Sequence, residues 1–205
     1  SSMSVNLAIQ LARQGKRVVI FDADFGLANV EIMLGLHPQY NLADMMFRGK
    51  KLKDIIMYGP ENVGFISGGS GIQELANMTR TQVLDLIQKL VELDQFADVI
   101  IVDTGAGISD TVLEFVAASE DVLLVATPEP TSITDAYALL KTLNKRVSAN
   151  PEKTVVKMIA NQVHGNRDAK ELFDKLGMVV SKFLDIKVEY IGAVPYDHNM
   201  QKAIM

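Results

Sequence analysis

Apolar residues fall along this chain in two alternating patterns, short continuous runs and longer stretches in which they recur every three or four positions. Val18 to Phe21 and Val99 to Val102 carry no polar interruption, which predicts strands buried on both faces, the habit of parallel sheets. Asp121 to Ala126, Val155 to Ala160 and Val188 to Val194 predict three more strands, and Asn62 to Ser67 a shorter one. Helical spacing fills the intervals. Ser1 to Ala12 places Val5, Ala8, Ile9, Leu11 and Ala12 on one side of a helix that Gln14-Gly15 ends. Thr79 to Leu93 repeats Val83, Leu86, Ile87 and Leu90, with Thr79 or Thr81 as its cap. Asn41 to Phe47 and Leu52 to Tyr58 predict short surface helices. Thr131 to Arg146 predicts a helix after the rigid turn Pro128-Glu129-Pro130, and Asn166 to Phe183 one broken around Gly177.

Strands separated by helices predict an α/β fold, a doubly wound and mostly parallel sheet with helices on both faces. No linker or low-complexity stretch divides the chain, so a single domain over residues 1–205 is expected. A helix that feeds a parallel strand calls for a strand before it, completing a right-handed βαβ unit. That first strand is expected upstream of Ser1.

Both doubly apolar runs end on carboxylates. Val18 to Phe21 runs into Asp22 and Asp24, and Val99 to Val102 into Asp103, followed by Gly105 and Gly107. The tips of parallel strands are where open α/β sheets bind ligands. Two anions so close together repel, so the arrangement suits a cation or a reacting water. An apolar run ending on Asp is the Walker B pattern, in which the aspartate holds the water shell of Mg²⁺ beside a phosphate chain. Glycines just after it let the backbone turn tightly toward a phosphate. The plain alternative for Asp22 and Asp24 is a solvated strand end with a capping residue.

Other chemistries fit less well. Cys 0 excludes thiolate catalysis, disulfides and iron–sulfur ligation. A dinucleotide fingerprint would need a third glycine where Asp110 stands. The loop Ser67 to Gly71 lacks the Gly-Lys-Ser/Thr ending of a phosphate loop. His37, His164 and His198 are scattered in turn-like contexts rather than at metal-ligand spacing. The net charge of −5 argues against a general nucleic-acid binder. No apolar run reaches the length of a membrane span and no signal peptide is visible, so a cytoplasmic location is expected.

Four motifs together carry a resemblance: Asp22 to Asn29, Ile101 to Gly107, Pro128 to Ala136 and Val194 to Asp197. In order and spacing they resemble the MinD/ParA family of deviant Walker A ATPases, most closely the FlhG/FleN/YlxH-like branch that controls flagellar number and placement. The resemblance implies an ATP-hydrolysing dimerisation switch using ATP/ADP and Mg²⁺. Ser1 would supply a hydroxyl to Mg²⁺ and Ser2 a phosphate contact. Asp22 would lie beside the metal shell, Asp24 would orient or deprotonate the attacking water, and Gly26 to Asn29 would form the first switch. Asp103 would hold Mg²⁺-bound water, with Gly105 to Gly107 as the second switch. Asn161 would bond the adenine edge, and the turn Pro195 to Asp197 would cover the base.

The same resemblance places the family's phosphate-binding lysine loop before Ser1 and its membrane-binding amphipathic helix after Met205. Residues 1–205 alone are then expected to bind nucleotide poorly and to lack the membrane anchor. The implied partners are a second copy in an ATP-dependent homodimer, flagellar assembly proteins and a signal-recognition-type GTPase. The ATP-bound protein is expected on the inner face of the cell membrane. Alternatives within the fold are a cell-division-site or plasmid/chromosome-partition ATPase, and a nucleotide-dead interaction module.

Overall fold

The computed structural model describes residues 1–25, 29–69, 71–147 and 155–200. They form two compact units. The first holds Ser1–Ala106 with Asp110–Glu114, and the second holds Gly107–Ser109 and the chain from Phe115 onward.

In the first unit, helix α1 (Ser2–Arg13) leads into strand β1 (Val18–Ala23), followed by helices α2 (Val30–Leu34), α3 (Leu42–Phe47) and α4 (Leu52–Ile55). The short strand β2 (Met57–Tyr58) and strand β3 (Gly64–Ile66) come next, then α5 (Gln73–Ala76), α6 (Arg80–Leu90) and β4 (Val99–Thr104). The sheet order is β2-β3-β1-β4. β1 pairs in parallel with β3 and β4, and β2 runs antiparallel to β3. Every residue of β1 is buried, as its uninterrupted apolar run predicts. Alternate side chains of a strand point to opposite faces, and Val18 and Ile20 join Val5, Ala8, Val30, Leu34, Val63 and Phe65 in one core cluster. α1 therefore docks through Val5 and Ala8, with Ile9, Leu11 and Ala12 packed around them.

Charge pins the register at the far end of this sheet. The Arg17 backbone N–H donates to Asp98 Oδ2 (2.9 Å), and its guanidinium lies 2.6 Å from Oδ1. This pairing holds the Asp98 carboxyl down at about 2. From there Val18 faces Val99, and the ladder continues until Asp22 faces Asp103.

The second unit has strands β5 (Asp121–Ala126), β6 (Val155–Val163) and β7 (Val188–Pro195), all parallel in that order, with helices α8 (Pro130–Val147) and α9 (Asn166–Phe183). α9 buries Ala169, Leu172, Leu176 and Val180, spaced so that they share one face. Helix α7 spans Asp110–Ala118.

Several expectations need correction. β4 is only partly buried along its apolar run; among the described residues it pairs with β1 alone. β5 forms over Asp121–Ala126 as expected, and alternates buried and exposed positions, with Leu123 and Val125 each 39% exposed. Leu52 to Tyr58 is not one helix: α4 stops at Ile55 and the chain turns into β2 beside β3. α9 runs unbroken through Gly177, because a mid-helix glycine costs only about 1 kcal/mol and the packed apolar face outweighs it. β6 runs on to Val163, two residues past Asn161. Thr79, not Thr81, caps α6, accepting from the Gln82 N–H (3.3 Å) while Gln82 Oε1 accepts from the Thr79 N–H (2.8 Å).

Candidate nucleotide and magnesium site

The first unit gathers Ser1, Asp22, Asp24, Asp103 and Gly105 around the C-terminal ends of β1 and β4. The ladder sets Asp22 directly opposite Asp103 on neighbouring parallel strands. Both are buried, at 0% and 5% exposure. The start of α1 lies against Asp103: Ser1 Oγ donates to Oδ2 at 2.7 Å, and Ser4 Oγ donates to Oδ1 at 2.5 Å.

Asp22 is held differently. Its Oδ1 accepts from the Asp24 N–H (3.1 Å), while Oδ2 is buried without a partner among the described residues. Burial pushes its carboxyl up to about 6; the Asp24 N–H opposes the shift and the Asp103 charge adds to it. A buried orphaned carboxylate oxygen costs free energy unless something cationic meets it. Asp24 sits over Gly105, where an added Cβ would lie 3.1 Å from the Asp24 carboxyl carbon. Glycine there lets the second loop approach the carboxylate closely.

These residues fit Mg²⁺. A hard cation takes oxygen ligands, and Mg²⁺ keeps several waters and relies on one or two carboxylates plus phosphate oxygens. Among the described residues no group of three His, Cys, Asp or Glu side chains forms an all-protein cage, and this mode of binding does not need one. The Ser1 hydroxyl spends its proton on Asp103 and keeps lone pairs for a cation.

The other sequence-predicted residues are placed as follows. Ser2 opens α1, and its carbonyl accepts from Asn6 Nδ2 (2.8 Å). Asn29 precedes α2 and is exposed; Gly26 to Ala28 lie outside the described residues. Gly107 has φ +103° with open space around it, a conformation that suits glycine alone. In the second unit, Asn161 pairs in register with Val194, and Val163 with Pro195. The Tyr196 N–H donates to the Val163 carbonyl (2.9 Å), and Asp197 Oδ1 accepts from the Asn199 N–H (2.8 Å). Asn161 and the Pro195 to Asp197 turn therefore share one end of the β6–β7 pair. Gln162, at φ +56°, lies in a register shift just after Asn161, and a bulge of this kind re-aims neighbouring side chains.

Sequence reasoning missed three contributors. Ser4 follows Ser1 by three positions, a spacing that puts both on one helix face, and that signal was available. Ser67 donates to Glu31 Oε2 (2.8 Å), tying the loop after β3 to α2. Gly68 presses on the strand end, since a Cβ there would lie 2.3 Å from the Asp22 carbonyl oxygen. Nothing local in the sequence announces either of these contacts.

Known proteins resemble this chain along its whole length. The ParA family model, described as NUBPL iron-transfer P-loop NTPase, matches residues 1–204. Antiactivator FleN of Pseudomonas aeruginosa is 43% identical over 204 residues, covering 100% of this chain and 71% of that protein. Flagellum site-determining protein YlxH of Helicobacter pylori is 33% identical, covering 95% of this chain and 64% of that protein. The structure of septum site-determining protein MinD from Pyrococcus horikoshii, complexed with Mg-ADP, superposes with a TM-score of 0.75 at 22% identity, over 98% of this chain and 77% of that one. The fold is thus the MinD/ParA P-loop NTPase fold, and the sequence stands close to FleN and YlxH. The chain belongs to the ParA family of P-loop NTPases.

Proposed function

We propose that this protein is a Mg²⁺-dependent ATPase that switches between monomer and ATP-bound homodimer and controls the number or placement of flagella. The observation that carries the chemistry is the opposed pair Asp22 and Asp103, one with an orphaned buried oxygen and the other tied to Ser1. The flagellar role rests on likeness to proteins named antiactivator FleN and flagellum site-determining protein YlxH. Use of Mg²⁺ with an adenine nucleotide is supported by the Mg-ADP complex of the MinD relative.

When bound, Mg²⁺ neutralises charge on the phosphate oxygens and orders them. This chain's residues do the remaining work. Ser1 and Asp103 hold the cation and its water, and Asp22 balances it from the neighbouring strand. Asp22, whose buried carboxyl is pushed up to about 6, would be held ionised beside such a cation. Asp24, beside Gly105, accepts a hydrogen bond from the attacking water and takes its proton. Ser2 contacts phosphate, and Asn161 reads the adenine edge with one donor and one acceptor. The turn Pro195 to Asp197 covers the base. Phosphoryl transfer of this kind proceeds by positioning and charge neutralisation rather than covalent participation. Asn29, Gly105 and Gly107 border the segments whose ordering reports the γ-phosphate to the dimer surface.

The partners in this reading are a second copy of the chain, flagellar assembly proteins and a signal-recognition-type GTPase, with the ATP state bound peripherally at the inner membrane surface. Among the described residues no helix is long and apolar enough to cross a membrane. Sedimentation of the full-length protein tests the switch. A slowly hydrolysed ATP analogue with Mg²⁺ should double the mass and ADP should not; equal masses in the two states would overturn the proposal.

A further inference from the structure

Asp103 is held in a way that its strand alone does not require. One carboxylate receives two serine hydroxyls from a single helical turn, Ser1 on Oδ2 at 2.7 Å and Ser4 on Oδ1 at 2.5 Å. The two serines are three residues apart and share a helix face. Their helix is itself immobilised, because Val5 and Ala8, on the following turns, are buried in the core cluster with Val18 and Ile20. Asp22, across the ladder, has one oxygen tied and the other orphaned. The two facing carboxylates thus differ: Asp103 is clamped at both oxygens and Asp22 at one.

The terminal torsion of an aspartate is broad and roughly two-fold. A single hydrogen bond leaves the carboxylate plane free to swing about that contact. A second donor on the other oxygen removes the swing and fixes the direction of the lone pairs left over from the carboxylate's total of about four. Groups that lock the orientation of a metal-holding side chain typically contribute about 10–100-fold to metal affinity.

We propose that Ser4 is a positioning residue for the magnesium site: with Ser1 it clamps Asp103 so that its free lone pairs face the cation and its water shell. The inference rests on the functional reading above but concerns a residue to which that reading gives no role. Ser4 touches neither nucleotide nor cation and acts only through Asp103.

The test uses the full-length protein and a fluorescent ADP analogue, titrated with and without Mg²⁺, together with the thermal midpoint of the nucleotide-free protein. Ser4→Ala should raise the Mg²⁺ concentration for half-saturation about tenfold while leaving metal-free analogue affinity within about twofold. Ser4→Thr, which keeps the hydroxyl, should restore the wild-type value. Ser4→Cys, a weaker donor of similar size, should fall between and serves if the alanine variant does not fold. A merely structural hydroxyl would lower the thermal midpoint without changing the Mg²⁺ dependence. Wild-type Mg²⁺ half-saturation in a folded Ser4→Ala or Ser4→Cys protein would overturn the inference while leaving the functional reading intact. Wild-type protein that binds the analogue with no response to Mg²⁺ would overturn both.

Discussion

Asp22, Asp24 and Asp103 lie within a few residues of two strand ends, yet the structure gives each a different environment and hence a different expected phenotype. Asp24→Ala removes the group assigned to the attacking water and leaves Asp22 and Asp103 in place. Loss of a positioned acid–base group costs about 10²–10⁴ in rate. Phosphate release should fall by that factor, with nucleotide affinity nearly unchanged and the ATP dimer accumulating. Near-normal turnover in a folded, saturated Asp24→Ala protein would remove Asp24 from that role. Asp22 carries a stability signature instead. Its folded pKa is raised to about 6 from 3.8, so the folded state binds more protons than the unfolded one between those values. The cost of ionising it is absent below about pH 4, grows through that window and is complete above 6. Asp22→Asn should therefore stabilise the nucleotide-free, metal-free protein at pH 7–8, on the order of 1 kcal/mol. The advantage should vanish as the pH falls toward 4. Urea midpoints measured across pH 4–8 check this, and a gain independent of pH would show that Asp22 is not the titrating group.

Two glycines show how an element, rather than a residue type, sets the effect of a substitution. Gly177 lies within α9, and a Cβ there meets nothing within 4 Å. Gly177→Ala should stabilise by about 0.5–1 kcal/mol through helix propensity. Gly68 follows β3 and lies against β1, so that an alanine methyl at this position would sit 2.3 Å from the Asp22 carbonyl oxygen. Gly68→Ala must push the strand end aside and should cost about 1–3 kcal/mol as overpacking. It should also weaken nucleotide binding, since the displaced backbone carries Asp22. Paired thermal melts and nucleotide titrations test both. A neutral Gly68→Ala would mean that the loop yields rather than the strand.

The protein should couple its ligand to its stability across the fold. A ligand that binds only the folded state at a hundred times its Kd adds about 2.7 kcal/mol. A slowly hydrolysed ATP analogue with Mg²⁺ should therefore raise the thermal midpoint of the full-length protein by several degrees. Chelating Mg²⁺ should remove most of that shift. Asp103→Ala should show only the small, metal-independent remainder, because the clamped carboxylate that holds the metal's water is gone. A full Mg²⁺-dependent shift in Asp103→Ala would contradict the assignment of Asp103.

Much of this protein is legible in one dimension because its strands are local events. An uninterrupted run such as Val18 to Phe21 has few structures open to it other than a buried strand, and Val83, Leu86, Ile87 and Leu90 announce a helix by spacing alone. The two aspartate-tipped runs likewise point to cation chemistry before any contact is known. What tertiary structure decided depends on neighbours distant in sequence. β4 is only partly buried and β1 fully buried, although their runs are equally apolar. Packing of Leu172, Leu176 and Val180 carried α9 through Gly177. The ladder placed Asp22 opposite Asp103, and docking of α1 brought Ser1 and Ser4 onto the same carboxylate across about a hundred residues of chain. Local pattern fixes which face a residue presents, whereas the partner on that face is chosen by how the elements pack, because burial, charge and hydrogen bonding are satisfied between segments and not within them.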